Sequence, residues 1–362
     1  MTGQGCCEDV FDLAGFENVS NFASQQPSAE QLQLCKRLAE CLERTGLVLV
    51  KDVRVPSATN EQFLDTMEQY FGHADKAKDV RADLCYQVGL TPSGVERPRV
   101  LGDVALQAEL AGLAPDHAGS APTGPDVKER FMVRVGKRPQ HTAFPELNAE
   151  PVLPAAFPSW SQTMDSFGSA LLGVAASVAC AASLGWGLPA QALVKAMEGG
   201  PHLLAPTGCH LDQHGELGTV IAGYHSDLNL LTVHGKSRFP GLFVWTADGR
   251  RVPVRVPPGC LLVQAGQQLE RLTGGRVKAG KHEVVVSSDT VAAISAARAA
   301  GRSLWRVSST LFAHCASDYT LRPLGCFATP AACTAYPEVL AGQQVQDELQ
   351  AINLRREGRK HD

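Results

Sequence analysis

The chain has 362 residues and a net charge of −4, from 33 Lys and Arg against 37 Asp and Glu. This balance gives no sign of a nucleic-acid surface, and the length suffices for one large or two modest domains. The 11 scattered cysteines, with an acidic start that has no apolar run, predict reduced thiols in a cytoplasmic protein.

Two helices and a strand are predicted in the first 75 residues. Ser28-x-x-Gln31 is a capping-box pattern that predicts a helix ending at Gly46, and residues 47–50 predict a strand. Thr59-Asn60-Glu61 predicts the start of a second helix, which ends at Gly72. Residues 90–155 are rich in Pro, Gly and charged residues and predict loops, with one strand near residues 130–134.

An uncharged segment at residues 167–188 is long enough to cross a bilayer. It consists mostly of Ala, Gly, Ser and Val, which favour close packing against protein, so we expect a buried helix and no membrane association. Ser159 with Gln162 predicts the start of this helix, and Gly185 with Gly187 its end.

From about residue 203 the pattern changes to short apolar runs broken by Gly and Pro. These runs cover residues 218–224, 230–234, 241–245, 251–256, 260–264, 282–287 and 304–313. Their spacing predicts an α+β protein with a jelly-roll core, a double-stranded β-helix. We expect four regions: an N-terminal helix and strand region at 1–155, packing helices at 156–200, the core at 201–326, and a helix with a basic tail at 327–362.

His225-Ser226-Asp227 is the most informative string in the sequence. A His-x-Asp pair on a strand places an imidazole and a carboxylate on one face, and His282 can supply a third ligand. Two His and one carboxylate form the facial triad of non-haem Fe(II) oxygenases. Arg306 and Ser308 follow, and a guanidinium beside a hydroxyl suits the carboxylate of a small co-substrate.

A second string, His210-Leu211-Asp212, has the same spacing. It lies between Pro- and Gly-containing segments that predict loop, whereas His225 lies in β-prone sequence. We therefore interpret His210 and Asp212 as solvated turn residues and not as metal ligands.

The sequence from about residue 203 to 324 resembles the isopenicillin-N-synthase-like branch of the iron- and 2-oxoglutarate-dependent oxygenases. The resemblance is carried by Gly-Tyr-His-Ser-Asp-Leu at 223–228, by Gln-Leu-Glu-Arg-Leu-Thr-Gly-Gly at 268–275, by Lys-His-Glu-Val-Val at 281–285 and by Trp-Arg-Val-Ser at 305–308. It implies Fe(II) at His225, Asp227 and His282, and 2-oxoglutarate with its distal carboxylate at Arg306 and Ser308. It also implies O2 as oxidant, ascorbate as a candidate reductant, and oxidation of a small organic substrate, most simply hydroxylation, with release of succinate and CO2.

The sequence departs from this family in two places. The gap between His282 and Arg306 is longer than usual, and residues 287–301 predict an inserted helix or loop between two strands. Arg298 and Arg302 are rival anchors, but neither lies in a β pattern. The string Leu204-Ala205-Pro206-Thr207 lacks the aromatic residue that often helps to hold 2-oxoglutarate.

Substrate recognition is weakly specified by the sequence. Tyr86, Gln87, Arg97 and Arg99 could line the mouth of the site. Two alternatives stay open: an iron oxidase that uses no 2-oxoglutarate, and a non-catalytic jelly-roll binding protein. Neither the substrate nor the oligomeric state follows from the sequence.

Overall fold

The computed structural model describes residues 9–354 of the chain. Its helices are α1 (Ala29–Thr45), α2 (Ser57–Phe71), α3 (Val104–Ala111), α4 (Trp160–Gly185), α5 (Ala192–Met197), α6 (Leu211–His214), α7 (Gln267–Leu272), α8 (Ser288–Ala299), α9 (Pro330–Ala335) and α10 (Ala341–Ala351). Its first eight strands are β1 (Val10–Asp12), β2 (Leu47–Lys51), β3 (Gly89–Thr91), β4 (Glu129–Val135), β5 (His202–Leu204), β6 (Thr207–His210), β7 (Val220–Ser226) and β8 (Leu231–His234). The others are β9 (Leu242–Trp245), β10 (Arg251–Pro253), β11 (Cys260–Ala265), β12 (Lys281–Val285), β13 (Trp305–Ser308), β14 (Thr310–Ala313), β15 (Thr320–Leu321) and β16 (Val339–Leu340).

Two sheets form the predicted jelly-roll core. The larger sheet has the order β1-β2-β11-β8-β14-β5-β4-β6-β13, with β3 paired to β4, and the smaller has the order β10-β9-β12-β7. Neighbours along these sheets are antiparallel except for β1 and β2. The non-sequential strand order confirms the double-stranded β-helix and brings β7 beside β12, although more than fifty residues separate them in sequence.

The long apolar segment forms α4, which packs against α1, α2 and strands of the larger sheet. Within residues 9–354 it is the one helix long and apolar enough to cross a membrane, but 67% of its most apolar window is buried inside the protein. Small side chains allow this close packing, since a Cβ on Gly185 would lie 2.2 Å from the carbonyl oxygen of Cys35 in α1. The predicted buried helix is therefore observed.

The N-terminal predictions hold with one shift. Ser28 and Gln31 form the capping box of α1, and Gly46 ends the helix in the left-handed conformation with φ of 68°. The start of α2 was predicted two residues too late, because Pro56 in extended conformation already occupies the cap position and Ser57 opens the helix. Within the described residues, the nine cysteines form no disulfide.

Three predictions after residue 90 are corrected. The loop region at 90–155 contains α3, which begins where the Asp103 side chain accepts a hydrogen bond from the amide of Leu106. The run at 304–313 is two strands in succession, broken at Ser309, whose side chain bonds Asn60 on α2. His210 ends strand β6 and does not lie in a loop. The predicted insertion is the helix α8.

The C-terminal helix is α10, and the basic residues after it, from residue 355 onward, lie outside the described residues.

Candidate metal centre and active site

Three predicted ligands meet at one end of the smaller sheet. His225 lies near the end of β7, Asp227 follows the strand directly, and His282 lies on β12 opposite His225. Nε2 of His225 and Nε2 of His282 are 3.6 and 3.7 Å from Oδ1 of Asp227. The donor atoms of all three lie within 4.8 Å of one another. This is a compact set of two imidazoles and one carboxylate, as the sequence predicts.

Hydrogen bonding prepares His225 to bind a metal through Nε2. Its Nδ1 lies 2.6 Å from the carbonyl oxygen of Gly223, an acceptor that requires the hydrogen on Nδ1. Nε2 is then the ring nitrogen left to bind a metal, and it lies 3.6 Å from Oδ1 of Asp227. Such a partner on the other ring nitrogen fixes the orientation of metal-binding histidines.

His282 is more deeply buried and sits beside Gln264 of β11. Its Nδ1 is 2.9 Å from Nε2 of Gln264 and 3.5 Å from the carbonyl oxygen of Gly280. Oε1 of Gln264 is 3.2 Å from Nε2 of His234, so one amide side chain connects both rings. Burial and the neighbouring His225 lower the pKa of His282 to about 3, which keeps the ring neutral, the form that binds metal.

Asp227 is held as an anion by its surroundings. Burial alone would raise the pKa of its carboxyl group, but His282 and His225 together hold it well below its usual range. The hydroxyl of Thr232 donates a 2.6 Å hydrogen bond to Oδ2, which leaves Oδ1 for the metal. Asn229 contacts the same hydroxyl at 3.2 Å and so orders Thr232.

The donor set fits Fe(II). Two imidazole nitrogens and one carboxylate oxygen on one face leave the remaining octahedral positions for small ligands. All three side chains are fixed by hydrogen bonds to backbone or neighbouring side chains, and two of them are buried. A purely structural site would instead surround the ion with protein ligands.

Arg306 is a buried cation without a carboxylate partner among the described residues. It is 5% exposed, and its one hydrogen bond runs from Nε to the carbonyl oxygen of Pro240 at 3.2 Å. Burial lowers its pKa to about 10. Such a group is costly unless an anion pairs with it.

A path of side chains joins Ser308 to the triad. The hydroxyl of Ser308 is 3.4 Å from that of Thr310, which pairs with His234 across β14 and β8. The His234 ring lies 5.9 Å from the His282 ring. Ser308 therefore lies along the side of the jelly roll that leads to the triad.

The alternative ligand residues and the alternative arginine anchors lie away from the triad. Asp212 pairs with Arg298 at 2.6 Å on the surface, and both side chains are more than half exposed. His210 packs on Trp305 with ring centroids 4.8 Å apart, away from the triad. Arg302 is exposed. Neither the second His-x-Asp string nor Arg298 and Arg302 contact the triad of His225, Asp227 and His282.

A cavity of ≈ 140 Å³, which we call the inner cavity, adjoins the triad. Its lining includes His225 and Asp227 together with three of the four predicted substrate residues, Gln87, Arg97 and Arg99. Tyr86 is the exception, because it packs in a hydrophobic cluster with Phe144 and Leu147. A larger open groove of ≈ 800 Å³ reaches the same histidine from outside.

Most charges in the inner cavity neutralise one another. Lys128 pairs with Asp126 and, at 3.2 Å, with Glu96, which also pairs with Arg130 at 3.2 Å. Arg99 pairs with Asp103 and Glu348. Arg99 is thus already engaged, whereas the exposed Arg97 forms no ion pair within the described residues.

Sequence reasoning missed Thr232, Gln264 and His314, which support or line the site. Thr232 and Gln264 were detectable as single polar residues inside apolar strands, at Leu-Leu-Thr-Val and Leu-Val-Gln-Ala. His314 follows β14 and gives no such pattern.

Comparison with protein-family models identifies the domain. Residues 207–314 match the 2OG-Fe(II) oxygenase superfamily. The chain therefore carries a 2OG-Fe(II) oxygenase domain. The matched region contains the whole triad, Arg306 and Ser308. The protein is an oxidoreductase of a superfamily whose members bind Fe(II) and 2-oxoglutarate, and its His-Asp-His set fits the iron. No curated protein matches the sequence.

Solved structures share the fold of this oxygenase over nearly its full length. A 2OG-Fe(II) oxygenase family protein from Caulobacter crescentus is 22% identical with a TM-score of 0.67, over 95% of this chain and 99% of that chain. A full-length Neurospora crassa protein, solved in complex with alpha-KG, is 16% identical with a TM-score of 0.70, over 94% and 95%. A rice dioxygenase for auxin oxidation is 18% identical with a TM-score of 0.56, over 94% of both chains.

Proposed function

We propose that this oxygenase uses O2 to hydroxylate a small organic substrate. One oxygen atom enters the product, and the other enters the succinate that forms, with CO2, from 2-oxoglutarate. In this proposal His225, Asp227 and His282 hold Fe(II), and Arg306 with Ser308 holds the distal carboxylate of 2-oxoglutarate. We also place the chain in the isopenicillin-N-synthase-like branch, on the motif strings at residues 223–228 and 305–308.

Each residue has a distinct task in this proposal. When bound, iron and 2-oxoglutarate would together activate O2, the oxidant, for removal of hydrogen from the substrate. Thr232 fixes one oxygen of Asp227, and Gly223 fixes the ring of His225, so the ligand atoms need little rearrangement. The planar guanidinium of Arg306 would donate two N–H hydrogen bonds to the distal carboxylate, and Ser308 would donate a further hydrogen bond.

The observation that carries the proposal is the unpaired, buried guanidinium of Arg306. A structural ion pair would explain an inward Arg without any ligand, yet no described Asp or Glu contacts it. Arg134 is also buried, but three backbone or amide oxygens accept its hydrogen bonds. Arg306 has one such acceptor, which leaves several donors free for a carboxylate.

A 2-oxoglutarate-independent iron oxidase is the second candidate. The observation that favours it is Ala205, a fully buried residue in the string where the resembled family often has an aromatic contact to 2-oxoglutarate. The family match favours 2-oxoglutarate use. In the oxidase, Arg306 would bind the carboxylate of the substrate itself.

Anaerobic titration with Fe(II), with and without 2-oxoglutarate, separates the candidates. We expect a visible charge-transfer band only when both are present, because the band requires 2-oxoglutarate to chelate the iron. His225→Ala should abolish the band, and the matched variant His210→Ala should keep it. Oxygen uptake that needs no 2-oxoglutarate, with no band, would support the oxidase instead.

A further inference from the structure

Two buried neutral side chains face the inner cavity, His314 and Gln87. They are 6% and 7% exposed, and both line the cavity together with His225 and Asp227. Polar groups at such depth normally have hydrogen-bond partners. Whether each side chain has such a partner within the protein therefore indicates whether it is available to a ligand in the cavity.

The imidazole of His314 has no hydrogen-bond partner among the described residues. Its Nδ1 is unpaired and too deeply buried for a ligand to reach, which leaves Nε2, also without a described partner, as the ring nitrogen that faces the cavity. The neighbouring His202 differs, because its Nδ1 accepts a 3.1 Å hydrogen bond from the backbone amide of His314. Leaving a buried polar group unpaired is unfavourable, because the group loses its hydrogen bonds to water without replacement. The ring of His202 therefore has a structural role, since it accepts this hydrogen bond. The ring of His314 forms no hydrogen bond that would give it such a role.

The backbone before Gln87 has an unusual conformation, and the side chain of Gln87 lines the same cavity. Cys85 and Tyr86, the two residues before it, have φ of 53° and 55°, a region that side chains other than Gly rarely adopt. The side-chain nitrogen Nε2 of Gln87 donates one long hydrogen bond of 3.4 Å to the carbonyl oxygen of Cys85. The side-chain oxygen Oε1 has no partner among the described residues.

The unpaired side chains that are buried in the cavity are neutral, whereas Arg97, which lines the cavity without an ion pair among the described residues, is exposed. The inner cations Lys128 and Arg130 are already paired with Asp126 and Glu96. Burial and the nearby Arg134 lower the pKa of His314 to about 3, so the ring carries no charge near neutral pH. A neutral imidazole and an amide favour a neutral partner with donors and acceptors over a carboxylate.

We propose that His314 and Gln87 are substrate-contacting residues, and that the inner cavity takes a neutral hydrogen-bonding group of the substrate, such as an amide, a lactam or a ketone. The proposal rests on the proposed function, because it assumes that the molecule to be oxidised binds beside His225 and Asp227. It assigns specificity to two residues outside the metal and 2-oxoglutarate sites.

Benzamide and benzoate are matched probes for this inference, since they share shape and differ in charge. Their dissociation constants are measured by ligand-observed NMR on the protein loaded with Zn(II), an inert substitute for Fe(II), and with 2-oxoglutarate. We expect benzamide to bind more tightly than benzoate. His314→Leu should weaken benzamide binding roughly three- to tenfold, the effect of one neutral hydrogen bond.

Control variants separate the cavity from general effects of a lost histidine. His117 also has an unpaired buried Nδ1 but does not line the inner cavity, so His117→Leu should leave benzamide affinity unchanged. His314→Gln keeps a donor and an acceptor and should retain more affinity than His314→Leu. Gln87→Leu supplies an independent test if the His314 variants fail to fold.

Tighter binding of benzoate, no binding of benzamide, or unchanged affinity in the His314 and Gln87 variants would overturn the inference. Binding of 2-oxoglutarate is recorded first in every variant. If wild-type protein fails to bind 2-oxoglutarate, the proposed function fails. If 2-oxoglutarate binds and the probes behave otherwise, only the inference fails.

Discussion

His225 and His282 lie directly opposite each other in the antiparallel pair of β7 and β12, with ring centroids 4.2 Å apart. Side chains of such a pair project from the same face of the sheet, so both rings reach one metal position. Asp227 then completes the set from just beyond the end of β7. The register of one strand pair therefore determines the geometry of the centre.

The first prediction concerns ligand identity. Changing His225, Asp227 or His282 to Ala should each remove Fe(II) binding, because two remaining ligands hold the ion poorly. His210→Ala and Asp212→Ala should bind one Fe(II) per chain, as the wild type does, when measured by metal analysis after desalting. Loss of iron in the His210 variant, with iron retained in the His225 variant, would reverse the assignment.

The second prediction concerns Thr232, whose hydroxyl holds the carboxylate of Asp227 in place by a hydrogen bond. Thr232→Val keeps the side-chain shape and removes the 2.6 Å hydrogen bond. We expect Fe(II) affinity to fall about ten- to a hundredfold, the usual effect of losing a partner of a metal ligand. Thr232→Ser keeps the hydroxyl and should restore most of the affinity, and equal affinities for the Val and Ser variants would argue against this role.

The third prediction is a loss of stability in acid. Burial lowers the pKa of His202 and of His314 to about 3, against 6.5 for an exposed ring. The unfolded chain therefore binds protons that the folded chain does not. Their contribution to stability is complete above pH 6.5 and is lost as the pH falls toward about 3, by up to about 1.4 kcal/mol per pH unit for each ring.

Urea unfolding of the metal-free protein at two pH values tests this. The free energy of unfolding should be lower at pH 5 than at pH 7, and His202→Gln should make the difference smaller. An identical pH dependence in the variant would show that His202 does not contribute to it.

The fourth prediction concerns α4, whose apolar surface is mostly covered by protein. We expect the protein to be recovered from lysed cells without detergent. Recovery only from a membrane pellet, after detergent extraction, would contradict the interpretation of residues 167–188 as a core helix.

The sequence predicted those parts of the fold and site that local patterns determine. The capping box at Ser28 and the alternation around His225 depend on neighbours in the chain, and both were confirmed in position. The break at Ser309 depends on a hydrogen bond to Asn60, 249 residues away, so no local pattern indicates it. The unpaired state of Arg306 likewise depends on which distant residues fold around it.

The substrate residues were the least predictable. Gln87 and Tyr86 are adjacent in sequence, yet one lines the inner cavity and the other packs in a hydrophobic cluster. Left-handed backbone at Cys85 and Tyr86 determines this difference, and the amino-acid types at these positions do not predict it.

The most direct test of the central claim is the 2-oxoglutarate dependence of Arg306→Lys. Lysine keeps the positive charge but lacks the planar guanidinium, so one of the two charge-assisted hydrogen bonds to the carboxylate is lost. We expect the apparent KM for 2-oxoglutarate, measured by succinate release, to rise roughly ten- to a hundredfold with Fe(II) binding nearly intact. Arg298→Lys is the matched control and should behave as the wild type. An unchanged KM in Arg306→Lys, or an equal rise in Arg298→Lys, would contradict the assignment of Arg306 as the 2-oxoglutarate anchor.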